Sequence, residues 1–105
     1  MYSLPEGADP EETWKYHTQV HAPDIKKLSG DKLKKYVVNR VDNVIVGGQQ
    51  IFAIMENWYE NKEDIAEIDK RYKITKAASG KTLQEDFNSH TTNRFRAIVE
   101  EKEII

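Results

Sequence analysis

Along the first third of the chain, apolar and polar side chains recur with the period of an α-helix. At about 100° per residue, Trp14, Thr18, His21, Ile25 and Leu28 share one face, with His17 and Asp24 on its rim. Lys15, Gln19, Lys26 and Lys27 point the other way. Asp9-Pro10-Glu11-Glu12 supplies the start of this helix. Asp9 caps the first free amides, Pro10 suits the first helical position, and Glu12 completes a capping box at the positive end of the dipole. Ser29-Gly30 supplies the stop. Inside the helix, Pro23 has no N–H for the carbonyl of Gln19 and disfavours helical geometry at Ala22. A kink or loosened turn is therefore expected just after His21.

The pattern then changes to β. Leu33 to Val46 is rich in β-branched and aromatic residues, in Tyr36–Val41 and again in Val44–Val46, with a bend or bulge at Asp42-Asn43. Gly47-Gly48 predicts a hairpin turn into a second strand, Gln50 to Tyr59. One face of that strand carries Phe52, Ile54, Glu56 and Trp58, and the other carries Ile51, Ala53, Met55, Asn57 and Tyr59. Both faces are mainly apolar, as in a strand covered on both sides. Asn61 caps the next helix, with Ile65, Ile68 and Tyr72 buried and Lys70, Arg71 and Lys73 wet; it fades around Ala77–Gly80. Thr82-Leu83-Gln84-Glu85 is a capping box opening a short helix with Leu83 and Phe87 one turn apart. Asn88 to Asn93 reads as a polar loop holding His90, and Phe95 to Ile105 as a closing strand.

With Met1–Leu4 as a stub of strand before Pro5 and Gly7, the order is β-α-β-β-α-β, the split βαβ or ferredoxin-like pattern. Right-handed crossovers place both helices on one face of an antiparallel sheet. The other face is then bare although the central strand is apolar on both, and a second copy packed against it is the simplest cover.

Composition narrows the function classes. A chain of 105 residues is a single domain with a modest core. With charged residues at 32%, a net charge of −2 and no basic patch, nothing points to nucleic acid. No apolar run reaches membrane-spanning length, and no charged-then-apolar leader opens the chain. The absence of cysteine excludes disulfides, a thiolate nucleophile and a zinc–thiolate site. Cytoplasm is the default location.

The helix opening Asp9-Pro10-Glu11-Glu12, His21-Ala22-Pro23 inside it, Lys35-Tyr36-Val37-Val38-Asn39-Arg40, Glu56-Asn57-Trp58-Tyr59, and the late Asp86 and Arg94 together resemble the EthD family. That family belongs to the dimeric α+β barrel superfamily. The resemblance covers nearly the whole chain. It implies a homodimer with a ligand cleft between helices and sheet, and cofactor-free chemistry. Relatives act in ether and aromatic degradation, and in polyketide tailoring as cyclases, decarboxylases, dehydratases and oxygenases. The opening strand, central in such a sheet, is shorter here than in relatives: either it is truncated or the natural start lies upstream of Met1.

The candidate chemistry follows from a histidine on the apolar stripe. His21 is either a core imidazole satisfied by a backbone group or a general acid/base, suited by an ordinary pKa of about 6.5. Glu56, on an apolar strand face, either pairs with Arg40 or Arg96 or, desolvated, is a proton donor or base opposite His21. Trp14, Tyr36 and Trp58 would supply aromatic walls or simply core. His17 lies one turn before His21, but no third ligand accompanies the pair, so no metal site is expected. His90 belongs at a pocket mouth or in solvent, and Arg94 binds a substrate oxyanion or forms an ion pair. The leading expectation is a cofactor-free enzyme acting on a hydrophobic, aromatic or polyketide-like molecule. The alternative is a non-catalytic dimeric module that binds a small molecule or serves as an accessory protein. A haem-binding relative would need an imidazole facing a wide apolar cavity.

Overall fold

The computed structural model describes every residue except Ile45, Gln49 and Ile105. Among the described residues it is a small α+β protein in which four α-helices, a π turn and a short 3-10 turn accompany a two-stranded antiparallel sheet.

Helix α1 spans Pro10–Tyr16, and Asp9 caps it by accepting from the amides of Glu11 and Glu12. The chain then makes a π-helical turn over His17–His21 before returning to α-geometry in α2, Ala22–Ser29. In the wide turn the amide of Ala22 donates to the carbonyl of His17, five residues back. Pro23 has no N–H to hold a preceding carbonyl, and the expected loosening is found not just after His21 but over the turn that ends there, as one extra residue in the turn. Gly30, at φ 59°, ends α2 in a conformation that disfavours side chains.

Strand β1, Leu33–Arg40, pairs with β2, Ala53–Tyr59, from Leu33↔Tyr59 to Arg40↔Ala53. The expected hairpin is present, but its connection is long rather than a tight turn at Gly47-Gly48. After Arg40 the ladder gains one more bond, from the amide of Val41 to the carbonyl of Phe52 at 2.8 Å. The strand expected to continue to Val46 stops because nothing covers it: Val46 is 91% exposed. The Ile45 part of that expectation lies outside the described residues, as does the Ile105 end of the closing strand.

Helix α3, Lys62–Ile74, is capped by Asn61, whose side chain accepts from the amide of Asp64, and buries Ile68. Helix α4, Leu83–His90, begins at a complete Thr82/Glu85 capping box and buries Leu83 and Asp86. His90 is therefore in the last turn of a helix, where a loop was expected. The polar run Asn88-Ser89-His90 extends the helix because Arg94 reaches back to the carbonyls of Asn88 and Thr91.

The opening residues lie between the start of β2 and the segment after α4. Tyr2 bridges Ala53 and Ser3 bridges Thr92, both antiparallel. Residues 95–104 form no strand, contrary to the alternating pattern of Phe95, Ala97 and Val99. The segment after α4 pairs with the opening residues as far as Phe95, whose amide donates to the Met1 carbonyl at 2.9 Å. Phe95, Ile98 and Val99 are 59–81% exposed.

Cross-strand partners point to one side, so Tyr36 and Asn57, Val38 and Met55, and Arg40 and Ala53 face the helices. The outer face carries Lys35, Val37, Asn39, Ile54, Glu56 and Trp58, which is half polar. Phe52, assigned by alternation to this face, instead meets Tyr2 and Trp14 on the helix side. No helix among the described residues is long and apolar enough to cross a membrane.

Candidate functional site

The centre of the helix–sheet layer is a set of imidazoles and phenols. The π turn directs His17 and His21 inward together, and both are almost fully buried, at 2% and 4% exposure. Their rings meet edge to face at 5.4 Å. His21 stacks on Phe87 of α4 at 4.6 Å and meets Tyr72 of α3 at 5.9 Å. His17 Nδ1 lies 2.5 Å from the hydroxyl of Tyr2, and its Nε2 faces the hydroxyl of Tyr36 at 3.5 Å. His21 Nδ1 is buried with no hydrogen-bond partner among the described residues.

Beside the imidazoles sits a buried carboxylate. Asp86 accepts from the hydroxyl of Tyr16 and from Ser79 Oγ at 2.9 Å. His90 stacks on Tyr16 at 4.3 Å, and its Nδ1–H donates to the Asp86 carbonyl at 2.8 Å. One small volume thus joins α1, the π turn, α3, α4, β1 and the opening residues.

Burial sets the proton affinities. It lowers His17 to about 4. It also lowers His21 to about 4, with the neighbouring His17 adding to the effect. Both imidazoles are therefore neutral at pH 7 and are available as bases or hydrogen-bond partners. Burial pushes the phenols of Tyr2, Tyr36 and Tyr72 well above their ordinary range. Burial of Asp86 works to raise its carboxyl, but the hydrogen bonds from Tyr16 and Ser79, with His90 and His21 nearby, prevail and hold it below its ordinary value.

Of the residues singled out in the sequence, the fold brings His17, His21 and Tyr36 together, with His90 one shell away through Asp86. Glu56 is not with them. It is exposed on the outer sheet face, opposite Val37 and turned away from the helices. Nor does it pair with the arginines considered for it: Arg40 binds Glu11 at 2.7 Å and Arg96 binds Asp69 at 2.9 Å. Trp58 also lies on the outer face, with the Lys35 ammonium 4.7 Å from its ring centre and its Nε1–H donating to Glu101 at 3.1 Å. Trp14 packs edge to face on Phe52 at 6.3 Å, away from the imidazoles. Arg94 is a helix C-cap, donating to the Thr91 carbonyl at 2.6 Å.

Tyr2, Tyr16 and Asp86 join the cluster without a clear signal in the sequence pattern. Tyr2 sits in a stub too short to show a period. The nearest to a signal for Asp86 is its place one turn from Thr82 in a capped helix, with Leu83 and Phe87 marking the buried side.

An open cavity of about 520 Å³ is lined by Ser3, Leu4, Val41, Phe52 and Asn93, with Ile51 and Gln50. None of these carries a titratable group; the titratable cluster lies apart from this cavity, in the imidazole layer. No group of three or more His, Asp or Glu among the described residues is arranged to hold a metal ion. The imidazoles are enclosed by rings and do not face the wide apolar space that haem requires.

The fold and site define a small α+β protein with a buried imidazole–phenol cluster. No protein-family profile, no curated protein and no solved structure matches the chain.

Proposed function

We propose that this chain is a cofactor-free protein of the EthD-like type, acting by acid/base chemistry on a hydrophobic, aromatic or polyketide-like small molecule held between helices and sheet. The sheet order supports the finer fold reading. Residues 92–95, the opening residues, β2 and β1 lie side by side, all antiparallel, in the order a split βαβ sheet requires. A second copy over the half-polar outer face belongs to the same reading. The acid/base groups are His21 and His17, with Asp86 taking the carboxylate place first given to Glu56.

One observation carries this reading: His21 Nδ1, a neutral imidazole nitrogen on a π turn, is buried without a partner among the described residues. An unsatisfied buried polar atom costs about 1–3 kcal/mol, and π turns recur at functional sites. A ligand oxygen or hydroxyl would satisfy it. The test is a titration of the 15N-labelled chain with acetophenone, an aromatic ketone used as probe. The His21 nitrogen resonances shift on saturation, and His21→Gln weakens binding by about tenfold. Binding that leaves His21 unmoved, or is equal in the variant, contradicts the proposal.

A second reading, a non-catalytic binding or accessory module, draws on the same burial. Rings enclose both imidazoles, and the expected partner Glu56 faces away.

A further inference from the structure

The hydrogen-bond chain through His17 has a direction. Tyr2 is 1% exposed and His17 2%, so each polar atom needs a protein partner or pays for lacking one. If His17 carried its proton on Nδ1, that N–H would donate to Tyr2, and the phenolic hydrogen of Tyr2 would have no acceptor among the described residues. If instead Tyr2 donates to Nδ1 at 2.5 Å, the His17 proton sits on Nε2 and points at the Tyr36 oxygen 3.5 Å away. Each arrangement leaves one phenolic hydrogen without an acceptor among the described residues, that of Tyr2 in the first and that of Tyr36 in the second. Tyr2 is fully buried and Tyr36 is only partly so, which favours the second and leaves the hydrogen of the Tyr36 hydroxyl pointing onward.

Onward lies a gap in the helix layer. Asn57 is the direct cross-strand partner of Tyr36 and shares its helix-facing side, yet it is exposed. A residue on the covered face of a sheet is exposed only where the helices stop short. The Asn57 amide donates to the Tyr59 hydroxyl at 3.3 Å, so amide and phenol groups rim this window while Tyr36 forms its inner wall.

We infer that Tyr36 is the ligand-contacting end of a Tyr2–His17–Tyr36 chain, reached through the window at Asn57 and Tyr59, and that it donates to a carbonyl or other acceptor oxygen on an otherwise apolar ligand. Tyr2 is the positioning residue: it sets the His17 tautomer and touches no ligand. This rests on the reading of the layer as a small-molecule site and names the feature that the molecule must carry.

Two measurements on the full chain test it. In the free protein, 15N spectra show the His17 proton on Nε2. Tyr2→Phe abolishes that preference while the fold is retained, and an Nδ1-protonated His17 in the wild type overturns the inference with no ligand involved. With probes, acetophenone binds about tenfold more tightly than ethylbenzene, which lacks the acceptor, and Tyr36→Phe removes the difference. Equal affinity for the two probes, or a preference that survives in Tyr36→Phe, overturns the inference. If the His21 resonances still shift in that case, the small-molecule reading stands without it. Failure of His21 to respond to any probe is the separate failure of that reading.

Discussion

Two buried imidazoles make this protein sensitive to acid in a defined window. His17 and His21 titrate at about 4 in the fold against 6.5 ordinarily, so on acidification the unfolded chain takes up protons first. The stability contribution is complete above about pH 6.5 and is lost as pH falls through about 4. Its size is on the order of 3 kcal/mol per imidazole, a large share of the roughly 5–15 kcal/mol of a typical domain. The urea midpoint therefore falls steeply between pH 6.5 and 4.5, and the double variant His17→Gln, His21→Gln loses most of that slope. A wild-type midpoint that stays level across the window contradicts the burial of neutral imidazoles. At Asp86, Tyr16→Phe leaves a buried carboxylate oxygen without its donor and costs about 1–3 kcal/mol, read by the same denaturation. These groups were only partly legible in the sequence. The helical period placed His21 on the buried stripe, but it put His17 on the rim, because a 3.6-residue repeat does not anticipate the π turn that swings it inward. The place of Glu56 was not legible, because alternation along β2 says which residues share a face but not which face the helices cover.

Among the elements, the helix starts were the most readable, since each is written in local chemistry. Asp9, Asn61 and Thr82 all accept from first-turn amides, and Pro23 marks the deviation. Thr82 carries a distinct prediction. Its side chain and that of Glu85 satisfy each other's backbone amides, and α4 supplies Leu83, Asp86 and Phe87 to the site. Thr82→Ala costs about 1 kcal/mol and lowers the melting temperature by about 4–8 °C. It leaves His21–Phe87 stacking intact, as judged by unchanged aromatic chemical shifts. The strands were less readable, because their extent depends on partners that local sequence does not reveal. Val46 and the segment 96–104 have β composition but belong to no strand among the described residues.

For the molecule as a whole, exposed apolar side chains at Phe95, Ile98 and Val99, with Val37, Ile54 and Trp58 on the outer sheet face, leave surface that a second copy would cover. Sedimentation at micromolar concentration is expected to give the mass of two chains, and Trp58→Asp, which introduces a charge at that face, to give one. A monomeric wild type removes the dimer from the account but leaves the imidazole layer untouched. The interior is more polar than the apolar stripe suggested: His17, His21, Asp86, Ser29 and Thr91 are buried beside Ile25, Ile68 and Leu83. Polar burial of this kind costs stability unless every group is paired, and among the described residues neither His21 Nδ1 nor Ser29 Oγ is.

A crystal structure of the protein grown with acetophenone examines that nitrogen directly. The account predicts the ketone in the helix–sheet layer, with its ring against Phe87 and Tyr72 and a polar contact at His21 Nδ1 or the Tyr36 hydroxyl. A ketone seated instead in the open cavity beside Ser3 and Phe52, with His21 Nδ1 still buried and unpartnered, would contradict it.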